Sequence, residues 1–267
     1  MSWETWGWDE TLFEGCAPYY ERGRPPYAPG LADVLREALG LDGHGRLLDV
    51  GCGPGKVTLL LAHLFDAAIG LDPDQGMIAE AERLATEREV TNARFVLERA
   101  EALPAGLGIF RVVTFAASFH WMDRPRVAHS VRGMLEPGGA AVQIDTQAYR
   151  SPVDDAVEKV RVRYLGPDKR AGRSIRNTSP SGEDEVFRAA GFRPMQLVAV
   201  PDGRVLDRSV DDLVAQHLSS SSTAPHLLGD RLDDFVADVR AALLEANPSG
   251  MFPVILPANQ LRIWRPR

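Results

Sequence analysis

Residues 47–55, Leu-Leu-Asp-Val-Gly-Cys-Gly-Pro-Gly, decide the fold of this chain. An apolar run enters a turn in which Gly51, Gly53 and Gly55 alternate, and a helical pattern begins at once with Lys56. A turn with so little side-chain bulk lets a small ligand lie against the backbone. A second apolar run, residues 67–71, ends at Asp72. A carboxylate at that offset, at the tip of the next strand, suits the two hydroxyls of a ribose. Turn and carboxylate together point to a nucleoside-bearing cofactor.

The spacing separates three such cofactors. A dinucleotide fold needs Gly-x-Gly-x-x-Gly, and Lys56 stands at its third glycine. A triphosphate loop needs Gly-x-x-x-x-Gly-Lys followed by Ser or Thr; Gly55-Lys56 imitates its end, but Val57 follows and Val50 occupies the first glycine. What remains is Asp-x-Gly-x-Gly-x-Gly, Asp49 to Gly55, with no dedicated phosphate grip. This resembles the S-adenosylmethionine (SAM) site of class I methyltransferases, and the resemblance runs through several ordered motifs from Arg46 to Asp145. It implies a doubly wound, mostly parallel α/β sheet of seven strands, with SAM as cofactor.

Working outward, residues 46–50, 67–71, 93–97, 111–116 and 140–145 read as strands. Residues 31–41, 56–65, 75–88 and 128–135 read as helices, the last stopping at the turn chemistry of Glu136-Pro137-Gly138-Gly139. Strands alternating with helices imply a parallel sheet, whose ligands sit beyond the carboxyl ends of the strands. Further helices are expected at 152–165, 183–190, 210–218 and 231–246, and strands at 195–200 and 261–264. Residues 1–30, with Trp3, Trp6 and Trp8, read as an irregular arm over the cofactor. Residues 31–267 read as the main domain. Two segments within it, about 150–182 and 203–232, are long enough to form a substrate lid, or are loops with embedded helices.

Composition narrows the partners. The chain has 267 residues and a net charge of −7, which argues against nucleic acid, whose binding leaves a basic footprint. No apolar run approaches a membrane span, and Met-Ser-Trp-Glu-Thr-Trp does not open a signal peptide, so a cytoplasmic location is expected. Cys16 and Cys52 make no disulfide framework, and no His/Cys/Asp cluster has metal-ligand spacing.

Carried over residue by residue, the resemblance implies a cofactor site. Asp49 anchors the turn or meets the cofactor's amino group, Gly51 and Gly53 pass close to the methionine and ribose parts, and Cys52 fills the turn with a small side chain. Asp72 matches the ribose-binding acid, ahead of Pro73, and Met77 covers one face of the adenine. In Glu98-Arg99-Ala100-Glu101, Arg99 stands where relatives carry an adenine-reading Asp. Arginine cannot accept a hydrogen bond, so that contact passes to the backbone of Ala100 or to Glu101. Ala116 and Ser118 fall beside the transferring methyl. His120 is either the general base or a packing partner of Trp121. In the arm, Tyr20-Glu-Arg-Gly-Arg24-Pro-Pro-Tyr27 resembles the segment whose tyrosine and arginine reach the cofactor's carboxylate in trans-aconitate-type enzymes. The alternative is a pair of surface residues in a proline turn.

The expected activity is methyl transfer to a small molecule in bacterial secondary or intermediary metabolism. A cyclisation on the same fold and a non-catalytic SAM-binding protein are the competitors. The cations Arg161, Arg163, Lys169, Arg170, Arg173 and Arg176 suggest an acidic substrate, or a solvated face.

Overall fold

The computed structural model describes residues 9–146, 153–171, 174–175 and 182–267; Trp3, Trp6, Trp8, Arg173 and Arg176 lie outside these. The fold is built on β1 (Arg46–Val50), whose Leu47, Leu48 and Val50 are all buried. Apolar residues at consecutive positions suit a strand covered on both faces. β1 pairs in parallel with β2 (Ala67–Asp72) and with β4 (Phe110–Ala116). β2 pairs with β3 (Ala93–Leu97), and β4 with β5 (Leu135–Thr146), again in parallel. β11 (Asn259–Trp264) then runs antiparallel between β5 and β8 (Gln196–Val200). The seven-stranded order is β3-β2-β1-β4-β5-β11-β8, mostly parallel as expected.

One face of the sheet packs Val113, Phe115, Ala141 and Trp264 against α5 (Arg124–Met134) and α7 (Glu183–Ala189). Trp264 stacks on Phe187 at 4.2 Å between ring centres, and its indole N–H donates to Asp184 Oδ1 at 3.0 Å. A buried tryptophan is thereby satisfied at both its apolar body and its polar edge. The other face packs Leu47, Val112, Val142, Leu261 and Ile263 against α2 (Leu31–Leu39) and α3 (Lys56–Leu61).

Several boundaries differ from the sequence reading, four of them for a visible physical reason. α3 ends at Leu61 and continues as a 3-10 turn, because the Asn92 carboxamide donates to the carbonyls of Ala62 and Phe65, both at 2.9 Å. α5 begins four residues early, at Arg124, where Asp123 caps it by accepting from Arg126 N, and Pro125 fits the first turn. β5 absorbs the expected turn at 136–139: pairing opens at Phe110–Leu135, shifts register, and resumes at Val112–Ala140. Gly139 allows this bulge, since a Cβ there would meet the Arg111 carbonyl oxygen at 2.9 Å. Finally, 203–232 is not only loops and helices. It contains β9 (Val205–Ser209), paired antiparallel with β10 (Met251–Ile255).

Beyond β5 a second, smaller core forms. α6 (Asp154–Leu165), α8 (Val210–Leu218), α9 (Pro225–Leu228), α10 (Leu232–Ala246) and β10 bury Val157, Val160, Leu213, Leu218, Phe235, Val239 and Phe252 together. The two-residue strands β6 (Arg170–Ala171) and β7 (Ser174–Ile175) pair beside it. α4 (Gln75–Glu87) follows β2, capped by Asp74, whose carboxylate accepts from Met77 N at 2.9 Å. The arm contributes α1 (Ala17–Gly23), which crosses α8 so closely that a Cβ on Gly23 would lie 2.4 Å from the Ala215 carbonyl oxygen.

Among the described residues no helix is long and apolar enough to cross a membrane.

Candidate cofactor and acceptor site

β1, β2 and β4 end side by side, and the chain turns sharply after each. Gly51 N and Cys52 N both donate to the Leu71 carbonyl, at 2.7 and 3.0 Å, which ties the glycine turn to the end of β2. Gly51 has φ +68°, and a Cβ there would stand 2.6 Å from Ser118 Cβ, so only glycine fits between the two turns. Gly53 has φ +53°, yet a Cβ there would meet nothing within 4 Å. Its bare face opens on the cleft.

Asp72 closes the tip of β2. Its Oδ2 accepts from Gly53 N at 2.8 Å and its Oδ1 from Asp74 N at 3.0 Å. Burial pushes its carboxyl up to about 7, although both N–H donors pull the other way. Each oxygen keeps a lone pair for a further donor. Asp49 stands differently. It is buried, and its two oxygens accept from Thr58 Oγ1 at 2.7 Å and Thr114 Oγ1 at 2.8 Å. It lines neither cavity described below and braces α3 and β4 against β1. Burial holds its carboxyl near 6.

Two cavities meet at this turn. The first is a cleft of about 630 Å³, walled by Leu71, Pro73, Met77, Ala100, Met122 and the rings of Phe13 and Trp121, with Asp72 and Glu101 as its carboxylates. The second is wider, about 2170 Å³, and polar, reaching from Arg24 and Lys56 past His120 to the ends of β5 and β11. Tyr20, Gly51, Gly53, Ala116 and Ala117 border both.

Most of the expected site residues gather here. Asp72, Pro73, Met77, Ala100, Glu101 and Ser118 line the first cavity; Arg24, Cys52 and His120 line the second; Tyr20, Gly51, Gly53 and Ala116 line both. Glu101 is already engaged, by Asp123 N at 2.9 Å and by Arg99 Nε at 3.3 Å. Ser118 Oγ donates to the Val50 carbonyl at 2.6 Å, which locks the end of β4 onto β1. His120 packs against Trp121, with ring centres 4.8 Å apart, yet faces the wider cavity.

The arm is held over the junction. Arg24 Nη2 donates to the Ser219 carbonyl at 2.6 Å, its guanidinium lies over the Tyr20 ring at 5.1 Å, and its backbone carbonyl accepts from Lys56 Nζ at 2.8 Å. Its Nε is buried with no hydrogen-bond acceptor of its own. A buried N–H of a cation left in this way suits an incoming carboxylate. Ser219, which caps α8, is itself buried, as is Ser221 beyond it.

Sequence reasoning missed Phe13 and Ala117. Ala117 holds φ +52°, a left-handed conformation costing a non-glycine residue about 1–3 kcal/mol, and strain of this kind clusters at ligand sites. It also missed Gln143, Asp145, Glu183, Gln260 and Arg262, which line the wider cavity; polar residues on a central strand were the available signal. Three of the cations between Arg161 and Arg176 have described side chains. Arg161 is buried and pairs with Glu158 at 2.9 Å and with the carbonyls of Pro167 and Asp168, Lys169 pairs with Glu158, and Arg163 with Asp238. These three cations are engaged within the protein. No side-chain position is described for Arg170.

Known proteins follow the same pattern. The methyltransferase domain family matches residues 47–139. An uncharacterized methyltransferase of Mycobacterium tuberculosis is 34% identical over 127 residues, covering 48% of this chain and 49% of that protein. The 27-O-demethylrifamycin SV methyltransferase of Amycolatopsis mediterranei is 31% identical over 163 residues, 60% of each chain. The chain thus spans about half the length of the first of these relatives. A SAM-dependent methyltransferase from Geobacter sulfurreducens, solved with S-adenosyl-L-homocysteine, shares the fold with a TM-score of 0.52 at 15% identity, covering 96% of this chain and 98% of that one. Residues 47–139 thus match the methyltransferase domain family, and the chain as a whole shares the fold of SAM-dependent methyltransferases.

Proposed function

We propose that the chain transfers a methyl group from SAM to a small-molecule acceptor held in the wider cavity. The observation that carries this reading is the junction of the two cavities at Gly51, Gly53, Ala116 and Ala117. One side offers a largely apolar slot with the Asp72 carboxylate at the tip of β2, suited to adenosine. The other offers the buried Arg24 Nε, suited to the carboxylate of an amino-acid tail.

SAM supplies a methyl carbon already activated by its sulfonium, so positioning and exclusion of water carry most of the remaining work. Asp72 accepts from ribose hydroxyls. Met77 and Pro73 flank the base, and the backbone at Ala100 reads its edge. Tyr20 and Arg24 close over the tail, and Trp121 and Phe13 exclude water from the slot. His120, across the junction, takes the proton that a hydroxyl or amine acceptor loses as it is methylated. The Amycolatopsis relative, named for a 27-O-demethylrifamycin, supports a small molecule as acceptor.

The test is transfer of label from methyl-tritiated SAM into a panel of hydroxyl- and amine-bearing metabolites, alongside calorimetry with SAM. Tight SAM binding with no labelled product from any acceptor would reduce the protein to a cofactor-binding one. Absence of SAM binding would overturn the site itself.

A further inference from the structure

The floor of the wider cavity breaks the pattern of the sheet that forms it. On the face of β5 and β11 that carries Ala141 and Trp264, side chains toward the C-terminal end of β5 should be apolar and covered by a helix. Instead Gln143 stands opposite Arg262, and Asp145 opposite Gln260. All four line the cavity, joined by Glu183 from the start of α7.

Their contacts fix what the floor offers. Gln143 is only 9% exposed, and its Nε2 donates to Asp145 Oδ1 at 2.9 Å. A carboxylate accepts, so the amide must turn its nitrogen toward Asp145. Its Oε1 is then left buried with no donor. Asp145 Oδ2 stands 3.0 Å from Arg262 Nε, out of hydrogen-bond alignment, and Arg262 Nη1 lies 3.6 Å from Glu183. The one cation of the floor is therefore shared between two carboxylates. The other cations of the cavity, Arg24 and Lys56, stand at the arm and are bonded to Ser219 O and Arg24 O.

We infer that this floor recognises the acceptor through a donated N–H or O–H, received at Gln143 Oε1, and discriminates against a carboxylate. An orphaned buried acceptor is restored by a donor and left unpaired by an anion, while Asp145 and Glu183 repel the anion. This inference rests on the methyltransferase reading above and names the class of acceptor: hydroxyl- or amine-bearing molecules. It replaces the acidic substrate suggested by the cation run at 161–176.

Three probes of one shape test it: 2-naphthol, 2-naphthylamine and 2-naphthoate, titrated by calorimetry into the full chain saturated with S-adenosylhomocysteine. The naphthol and naphthylamine bind at least five-fold more tightly than the naphthoate; the better of the two assigns a hydroxyl or an amine acceptor. Gln143→Met, similar in length and without the amide, removes at least five-fold of that preference. Gln143→Glu keeps acceptor oxygens at the same place and keeps the preference. S-adenosylhomocysteine affinity holds in both variants, which verifies folding. Equal or tighter binding of the naphthoate, binding of none of the three, or a preference that survives Gln143→Met overturns the inference. Failure of S-adenosylhomocysteine to bind the native chain instead overturns the reading beneath it, a separate signal in the same titration.

Discussion

Asp72 Oδ2 accepts the backbone N–H of Gly53 at 2.8 Å, so the carboxylate that ends β2 and the glycine turn that follows β1 form one hydrogen-bonded unit. Distorting either moves both.

The buried Asp72 makes the site pH-dependent. Its carboxyl is pushed up to about 7 and that of Asp49 to about 6, against about 3.9 for an unfolded aspartate. Between about pH 4 and 7 the folded chain therefore binds more protons than the unfolded one, and stability falls as pH rises through that window, then levels. Ligand hydroxyls that donate to Asp72 favour its ionised form, so S-adenosylhomocysteine binds more tightly at pH 8 than at pH 6. Asp72→Asn removes the binding trend and lessens the stability slope. Calorimetry at the two pH values decides; a flat affinity in the native protein would mean that no ligand donor reaches Asp72.

Thr114→Val takes one of the two hydroxyls from Asp49. Loss of a partner to a buried carboxylate costs about 1–3 kcal/mol, visible as a lower urea midpoint. Because Asp49 lines neither cavity, S-adenosylhomocysteine affinity should change less than three-fold. A ten-fold loss of affinity at unchanged stability would show that Asp49 meets the ligand.

Gly23→Ala drives a methyl into the Ala215 carbonyl and pries α1 from α8. Residues 17–23 and 210–218 should then exchange their amide hydrogens faster together, and KM for SAM should rise several-fold as Arg24 is displaced. Faster exchange in the arm alone would mean that the two helices are not coupled.

His120→Ala should lower turnover about a hundred-fold, within the usual range for a general base, with SAM affinity near native. The native rate should rise through about pH 6–7, and the variant should lose that limb. A variant with the native pH profile and a lower melting temperature would assign His120 to packing against Trp121.

The cofactor end of the site was legible because its determinants are local. Asp49 to Gly55 is one turn, and Asp72 ends the next strand. The acceptor end was not, because distant segments build it. Arg24 meets Ser219, β9 pairs with β10 across three helices of the second core, and Gln143 acquires meaning only when Arg262 lies opposite. The cation run shows the converse. Arg161 to Lys169 look like a free basic face in sequence, but Glu158, one turn before Arg161, and Asp238, from another helix, take up their charge.

The order of the sheet sets a timetable for synthesis. β11 sits between β5 and β8, so until residues 259–264 leave the ribosome, β5 is an open edge and β8 has nothing to pair with. An unpaired edge invites misassociation. The SAM-facing half, β1 to β4 with its glycine turn, emerges more than a hundred residues earlier and can close first. A nascent chain would then hold its cofactor cleft before Gln260 and Arg262 arrive to finish the floor, and bound cofactor would steady the half-built sheet while it waits.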